Sequence, residues 1–360
     1  MKFKVEKKLI ERNITSIGKL VGGGRSALDI HNNILLEVEE GRLRMYATSG
    51  DIEMVMSIPV LDSKPGRALV DRKKFTSLIK VFEKDAVVDV STSDSNLTIQ
   101  SEGVRYRVVT QDPELFPPIS PKETTGTFMV SLEDVIGALD RVEFCAASDD
   151  SRLFLTGILW DSRDESSRFV ATDSFVLGVA EREIPTGREF QAILPRNLKG
   201  VLKDIEAEKV EVGFTEDQNY MTIRFPEGFI NIRLIQGPYP NYEGIFPEGT
   251  YSSLRITRED MDRALKAATA INPDNLKFVL SEDSLLIHAA NTDGDELEIQ
   301  LEGRYEGSPY EIVLDTKKFV DIIRHLPRGD MEMRIYGDTS PILIGSGEEN
   351  LKYLIMPVKI

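Results

Sequence analysis

The chain repeats itself three times, and this repetition constrains the fold more than any other feature of the sequence. Phe75, Leu78, Ile79 and Phe82 stand at i, i+3, i+4 and i+7, which is one face of a helix. Leu198, Val201, Leu202 and Ile205 repeat that spacing 123 residues later, and Phe319, Ile322, Ile323 and Leu326 repeat it after a further 121. Asp71 and Asp315 are placed as N-caps, and Pro195 suits a first-turn position. Each segment follows a short apolar strand end: Ala68-Leu69-Val70, Ala192-Ile193-Leu194 and Ile312-Val313-Leu314. A second helical face recurs as well. Leu132, Val135, Ile136 and Leu139 are matched 129 residues later by Met261, Ala264, Leu265 and Ala268. Ser131 to Asp134 and Thr257 to Asp260 resemble capping boxes ahead of them. Ile10, Ile14, Ile17 and Val21 are a weaker N-terminal counterpart.

Between these helices the chain alternates as strands do. Asn33–Val38 and Arg42–Ala47 flank the turn Glu39-Glu40-Gly41; Ile158–Trp160 and Phe169–Ala171 flank residues 162–167; Lys277–Leu280 and Leu285–Ile287 flank Glu282-Asp283-Ser284. Further alternating pairs follow, such as Val210–Phe214 with Met221–Ile223. The predicted unit is helix, strands, helix, strands, in about 120 residues. The fold class is α+β, with three repeated domains of two helices packed on antiparallel sheets. The Pro-rich stretch from Phe116 to Pro121, and Phe246-Pro247-Glu248-Gly249, place the boundaries at 1–121, 122–247 and 248–360.

Catalytic chemistry has little to stand on. His31, His288 and His325 are scattered, and none has a partner at metal-ligand spacing. No nucleophile elbow, zinc-protease helix or phosphate loop is present; Gly22-Gly23-Gly24-Arg25-Ser26 reads as a turn. The acidic clusters around Asp149-Asp150 and Asp293-Gly294-Asp295-Glu296 read as solvated loops. No metal and no cofactor is expected. The single cysteine, Cys145, excludes an internal disulfide and reads as a buried small apolar residue. No apolar run is long enough for a membrane span, and the N-terminus lacks a signal-peptide core, so the expected location is the cytoplasm.

The net charge of −16 argues against nucleic acid as a partner, unless the cations are concentrated on one surface. The helical segments concentrate them. The six carry 18 basic and 14 acidic residues, a balance of +4, which leaves −20 for the rest of the chain.

Gly157–Trp160 through Ala171-Thr172-Asp173, Pro240-Asn241-Tyr242 to Pro247, and the ending Tyr353-Leu354-Ile355-Met356-Pro357-Val358-Lys359-Ile360 resemble the beta subunit of bacterial DNA polymerase III, the sliding clamp. The resemblance runs over essentially the whole chain, and three repeats favour the bacterial type over two-domain clamps. It implies a non-catalytic protein that forms a head-to-tail homodimeric ring around duplex DNA and confers processivity. Arg105, Tyr106 and Val108 of one copy would meet Ala270 and Ile271 of the other. Helices lining the hole would offer Arg25, Lys73, Lys74, Arg196, Lys199, Lys203, Lys317, Lys318 and Arg324 to phosphates, without reading sequence. Implied partners are the polymerase catalytic subunit, a clamp loader and other proteins carrying clamp-binding motifs. Their peptides would dock at Arg152, Leu155, Thr172, Ser174, Leu177, Pro240, Ile245, Met356, Pro357 and Val358. Phe175, Val176 and Gly244 depart from the residues common in relatives, and are expected to make the pocket rim more apolar. Two other readings are an auxiliary clamp serving repair polymerases or a mobile element, and an uncharacterised enzyme on this scaffold.

Overall fold

The computed structural model describes residues 1–20, 29–149, 152–282, 284–346 and 350–359. Among them are six α-helices: α1 (Lys7–Leu20), α2 (Arg72–Val81), α3 (Leu132–Val142), α4 (Leu198–Leu202), α5 (Arg258–Ala268) and α6 (Thr316–His325). The chain divides into two compact units, Met1–Ile136 with Asn197–Leu234, and Gly137–Arg196 with Ile235–Ile360.

The first unit holds two antiparallel sheets. One has five strands in the order Leu61–Lys64, Lys2–Glu6, Val87–Ser93, Asn96–Ser101, Val104–Val109. The other has eight, in the order Thr125–Ser131, Lys209–Phe214, Tyr220–Phe225, Gly228–Arg233, Ile52–Pro59, Arg42–Thr48, Asn33–Glu39, Gly66–Asp71. The repeats therefore share sheets, which their separate sequence patterns did not reveal. Gly228–Arg233 from the second repeat pairs with Ile52–Pro59 from the first, Ile230 opposite Met54. Pairing covers an edge that each repeat alone would expose. Gly228 permits the approach, because a Cβ there would lie 1.9 Å from the Val55 carbonyl oxygen. The buried Asn231 side chain then ties the Pro-rich connection to this sheet. It accepts from Lys122 N and donates to Ser120 O and Glu53 Oε2.

The second unit is built the same way. Its nine-stranded sheet runs Glu189–Pro195, Gly157–Arg163, Ser167–Thr172, Val176–Arg182, Leu351–Ile355, Ile342–Ser346, Asp330–Ile335, Ser252–Thr257, Arg304–Glu306. The second and third repeats join where Val176–Arg182 meets Leu351–Ile355, with Leu177 opposite Leu354. The remaining sheet has the order Glu296–Glu302, Ser284–Ala290, Asn275–Ser281, Tyr310–Asp315.

The helical faces read from the sequence are the core faces. Ile10, Ile14 and Ile17 of α1, Phe75 and Ile79 of α2, and Phe319, Ile322 and Ile323 of α6 are fully buried. Each such side chain contributes about 1.5–3 kcal/mol by leaving water. Asp71 caps α2 by accepting from Lys74 N at 2.8 Å, Asp315 caps α6 by accepting from Lys318 N at 2.8 Å, and Thr257 caps α5 by accepting from Asp260 N at 3.1 Å. The expected first-turn role of Pro195 is corrected. Pro195 ends the strand Glu189–Pro195, and α4 begins only at Leu198, behind an Asn197 that makes no side-chain cap. That helix is correspondingly short. Val21 lies outside the described residues.

Arginines close the C-termini of α1 and α6. Arg72 donates to Gly18 O of α1, Arg141 to His325 O, and Arg258 Nε to Ile323 O at 3.1 Å. They satisfy carbonyls that lack intrahelical partners.

Candidate functional site: an apolar pocket, two strand edges and helical cations

The candidate docking site is an apolar cluster on one face of the nine-stranded sheet. Side chains alternate across a strand, so Leu177 and Val179 share a face with Val170 and Thr172 and with Leu354. Leu159, Val170, Leu177, Val179, Ile193, Tyr242 and Leu354 pack there as one buried cluster, with Phe154, Tyr239 and Phe246 against it. Leu155, Thr172 and Leu177 are buried; Pro240, Met356, Pro357 and Val358 are half-buried; Arg152, Ser174, Gly244 and Ile245 are exposed. Leu177 thus belongs to the floor, Leu155 is buried in the short turn Leu153–Thr156, and Ile245 and Phe175 stand at the surface, 42% and 62% exposed.

Val176 must be moved from the rim to the core. It alternates with Leu177, shares a face with Gly178 and Ala180, and is only 3% exposed. Phe175 is held out by a tight turn. Asp173 Oδ1 accepts from Phe175 N and Val176 N, Thr172 Oγ1 donates to Val176 O, and Ser174 adopts φ +80. Phe175 O accepts from Met356 N at 2.8 Å, which ties the turn to the C-terminal segment.

Behind Tyr242 lies a buried polar network. Asp161 accepts from Tyr242 Oη at 2.5 Å, from Arg163 at 2.8 and 3.1 Å, and from Gln191 at 3.1 Å. Burial and the bond to Asp161 push the Tyr242 hydroxyl above its ordinary pKa, so it stays a donor and fixes the segment around Pro240 and Ile245.

Two sheets end in strands of opposite charge. Val104–Val109 closes one side of the five-stranded sheet and presents Arg105, Arg107 and Val109 outward, while Tyr106 packs edge-on against Phe82 at 5.9 Å. Glu296–Glu302 closes the four-stranded sheet and alternates exposed Glu296, Glu298, Gln300 and Glu302 with half-buried Leu297, Ile299 and Leu301. Ala270 is exposed and Ile271 half-buried on the short turn after α5, where Ile271 O accepts from Asn291 Nδ2.

The helical cations divide into two groups. Lys73, Lys74, Arg196, Lys203 and Lys317 are exposed, as is Arg324, 3.9 Å from Asp321; Lys199 is half-buried. Lys318 is half-buried, pairs with Asp173 and stands 5.6 Å from the Phe175 ring centre, so its charge serves the turn beside the pocket. Arg25 lies outside the described residues. Many cations in the helical charge balance are engaged internally: Arg12 with Glu206, Lys19 with Asp204, and Lys266 with Asp262.

Comparison with known proteins matches the three stretches in turn. The N-terminal, central and C-terminal domains of the DNA polymerase III beta subunit match residues 1–120, 130–241 and 243–359. The chain belongs to the DNA polymerase III beta subunit family. The curated beta sliding clamps of Vibrio cholerae and Escherichia coli are each 24% identical to it over the full length of both chains. The solved beta subunit of Thermotoga maritima superposes with TM-score 0.92 at 23% identity, covering 100% of this chain and 99% of that one. The Pseudomonas aeruginosa clamp bound to griselimycin gives 0.90 at 22%, with full coverage of both. The function is that of a sliding clamp, a non-catalytic processivity factor of DNA replication.

Sequence reasoning about this clamp missed three things. Leu354 sits opposite Leu177, two residues before Met356 and therefore on its side of the strand; alternation alone could have found it. Glu296, Glu298 and Glu302 were hidden in Glu-Leu-Glu-Ile-Gln-Leu-Glu, whose charges are opposite to those of Val104–Val109. Lys80, exposed and seven residues from Lys73, shares its helical face.

Proposed function

We propose that two copies of this clamp close head to tail into a ring around duplex DNA. The observation that carries this is the pair of free edges: one offers Arg105 and Arg107 with Tyr106 and Val108, the other Glu296 and Glu298, at the end of the strand where Asn291 joins Ile271 to Asp295. Antiparallel pairing of the two would bury both edges and set guanidinium against carboxylate. A heterologous contact of this kind forms a ring when its rotation closes. Lys73, Lys74, Lys203, Lys317 and their neighbours are exposed, sequence-blind phosphate contacts of the kind that permit sliding. The lone cysteine fits a cytoplasmic home.

Polymerase, clamp loader and other partners dock through short peptides on the apolar face of the nine-stranded sheet. Phe175, Ile245, Pro240 and Met356 form the accessible rim over a floor of Leu177 and Leu354. A native-mass measurement tests the assembly: a species of twice the 40.4 kDa chain supports it. A strict monomer at micromolar concentration removes it.

A further inference from the structure

We infer that the peptide groove continues beyond the Leu177–Leu354 pair into a second side-chain pocket, which takes the residues flanking a bound motif: one apolar side chain followed by a carboxylate. The inference rests on the docking reading above. The strands carry three successive rows on the same face: Thr172, Leu177 and Leu354; then Val170, Val179 and Lys352; then Arg168 and Glu181. Each row lies about 7 Å from the last, two residues along a strand. Two to four further residues of an extended peptide span that distance.

At the far rows the face opens into a cavity of about 260 Å³. Its floor is Val179, Phe246 and the Tyr242 ring, the first and last of which also belong to the apolar cluster of the first pocket. The floor is continuous with that pocket. Its walls are fixed in advance. Tyr242 is anchored on Asp161, and Arg168 is clamped by Glu181 at 3.0 Å and Glu243 at 2.6 Å. Fixed walls lower the entropy cost of binding. Both carboxylates of the wall are thereby engaged by arginine. Lys352 differs: it lines the same cavity, is exposed, and has no ion-pair partner among the described residues. Its neighbours in register are Val179 and Gly345, neither of which competes for its charge. An apolar side chain on the floor and a carboxylate on Lys352 therefore describe the occupant.

Fluorescence anisotropy tests this with three synthetic peptides: a polymerase-type apolar motif alone, and the motif extended at either end by three residues that include Leu-Asp. One extension is expected to bind about five- to tenfold more tightly than the motif alone. With Lys352→Glu the gain should fall below twofold, and replacing the peptide's Asp with Lys should restore it. No gain from either extension, with the motif itself bound and sensitive to Phe175→Ala, overturns the second pocket and leaves the first standing. A motif that neither Phe175→Ala nor Ile245→Ala weakens overturns both.

Discussion

Truncating Phe175 separates peptide docking from folding in a way that truncating Leu177 cannot. Phe175 is 62% exposed, whereas Leu177 is 3% exposed and packs within the cluster of Leu159, Val170 and Tyr242. Full burial of a large apolar side chain is worth about 1.5–3 kcal/mol. A peptide that covers the exposed part of Phe175 therefore gains about 0.9–1.9 kcal/mol, and Phe175→Ala should weaken it about five- to twentyfold. The same reasoning for Ile245, 42% exposed, gives about 0.6–1.3 kcal/mol. Leu177→Ala instead opens the core, at a cost of about 2–5 kcal/mol in stability. Anisotropy titration with a polymerase-derived peptide, run beside thermal melts of each variant, makes the comparison. Phe175→Ala should lose affinity and keep its melting temperature; Leu177→Ala should melt earlier. Unchanged affinity in both Phe175→Ala and Ile245→Ala would refute the pocket, because no other large apolar rim residue is comparably exposed among those proposed to dock.

Reversing Arg105 and Arg107 together to Glu should shift light scattering from dimer towards monomer, and adding Glu296→Arg and Glu298→Arg should restore dimer. Reversing Lys74, Lys203 and Lys317 should lower loading onto DNA while the native mass stays that of the dimer. Lys318 does not belong in that set, because its ammonium is committed to Asp173; Lys318→Met should instead be read out in peptide affinity. In alkali, Tyr46 should report on folding. Burial first, then its bond to Glu37, raises its pKa from 10.0 to about 12. The unfolded chain loses this proton first, so the contribution is intact below pH 10 and lost as pH climbs from 10 through about 12. Urea titrations across that range should show a smaller fall in stability for Tyr46→Phe.

The helical faces were legible because burial on one side of a helix leaves a spacing in the sequence, and Phe75, Phe319 and their companions sit where that spacing puts them. The caps Asp71, Asp315 and Thr257 were legible for the same local reason. What local pattern does not encode is which strands meet across a repeat boundary. Nothing in Gly228–Arg233 names Ile52–Pro59 as its partner, although Gly228 marks a close approach. The pocket suffered from the same limit. Leu177 and Val176 read alike as apolar residues, and only the register with Leu354 and Ile355 decides which faces the groove. Lys318 reads as one of several helical cations; only the fold brings it to Asp173.

The central claim is that retention on DNA comes from ring closure rather than affinity, and one measurement addresses it directly. The clamp is loaded onto nicked circular DNA in salt high enough to abolish simple phosphate binding, and its release is followed before and after a restriction cut. Closure predicts slow release from the circle and rapid loss once free ends exist. Equal retention on circular and linear DNA would contradict the account.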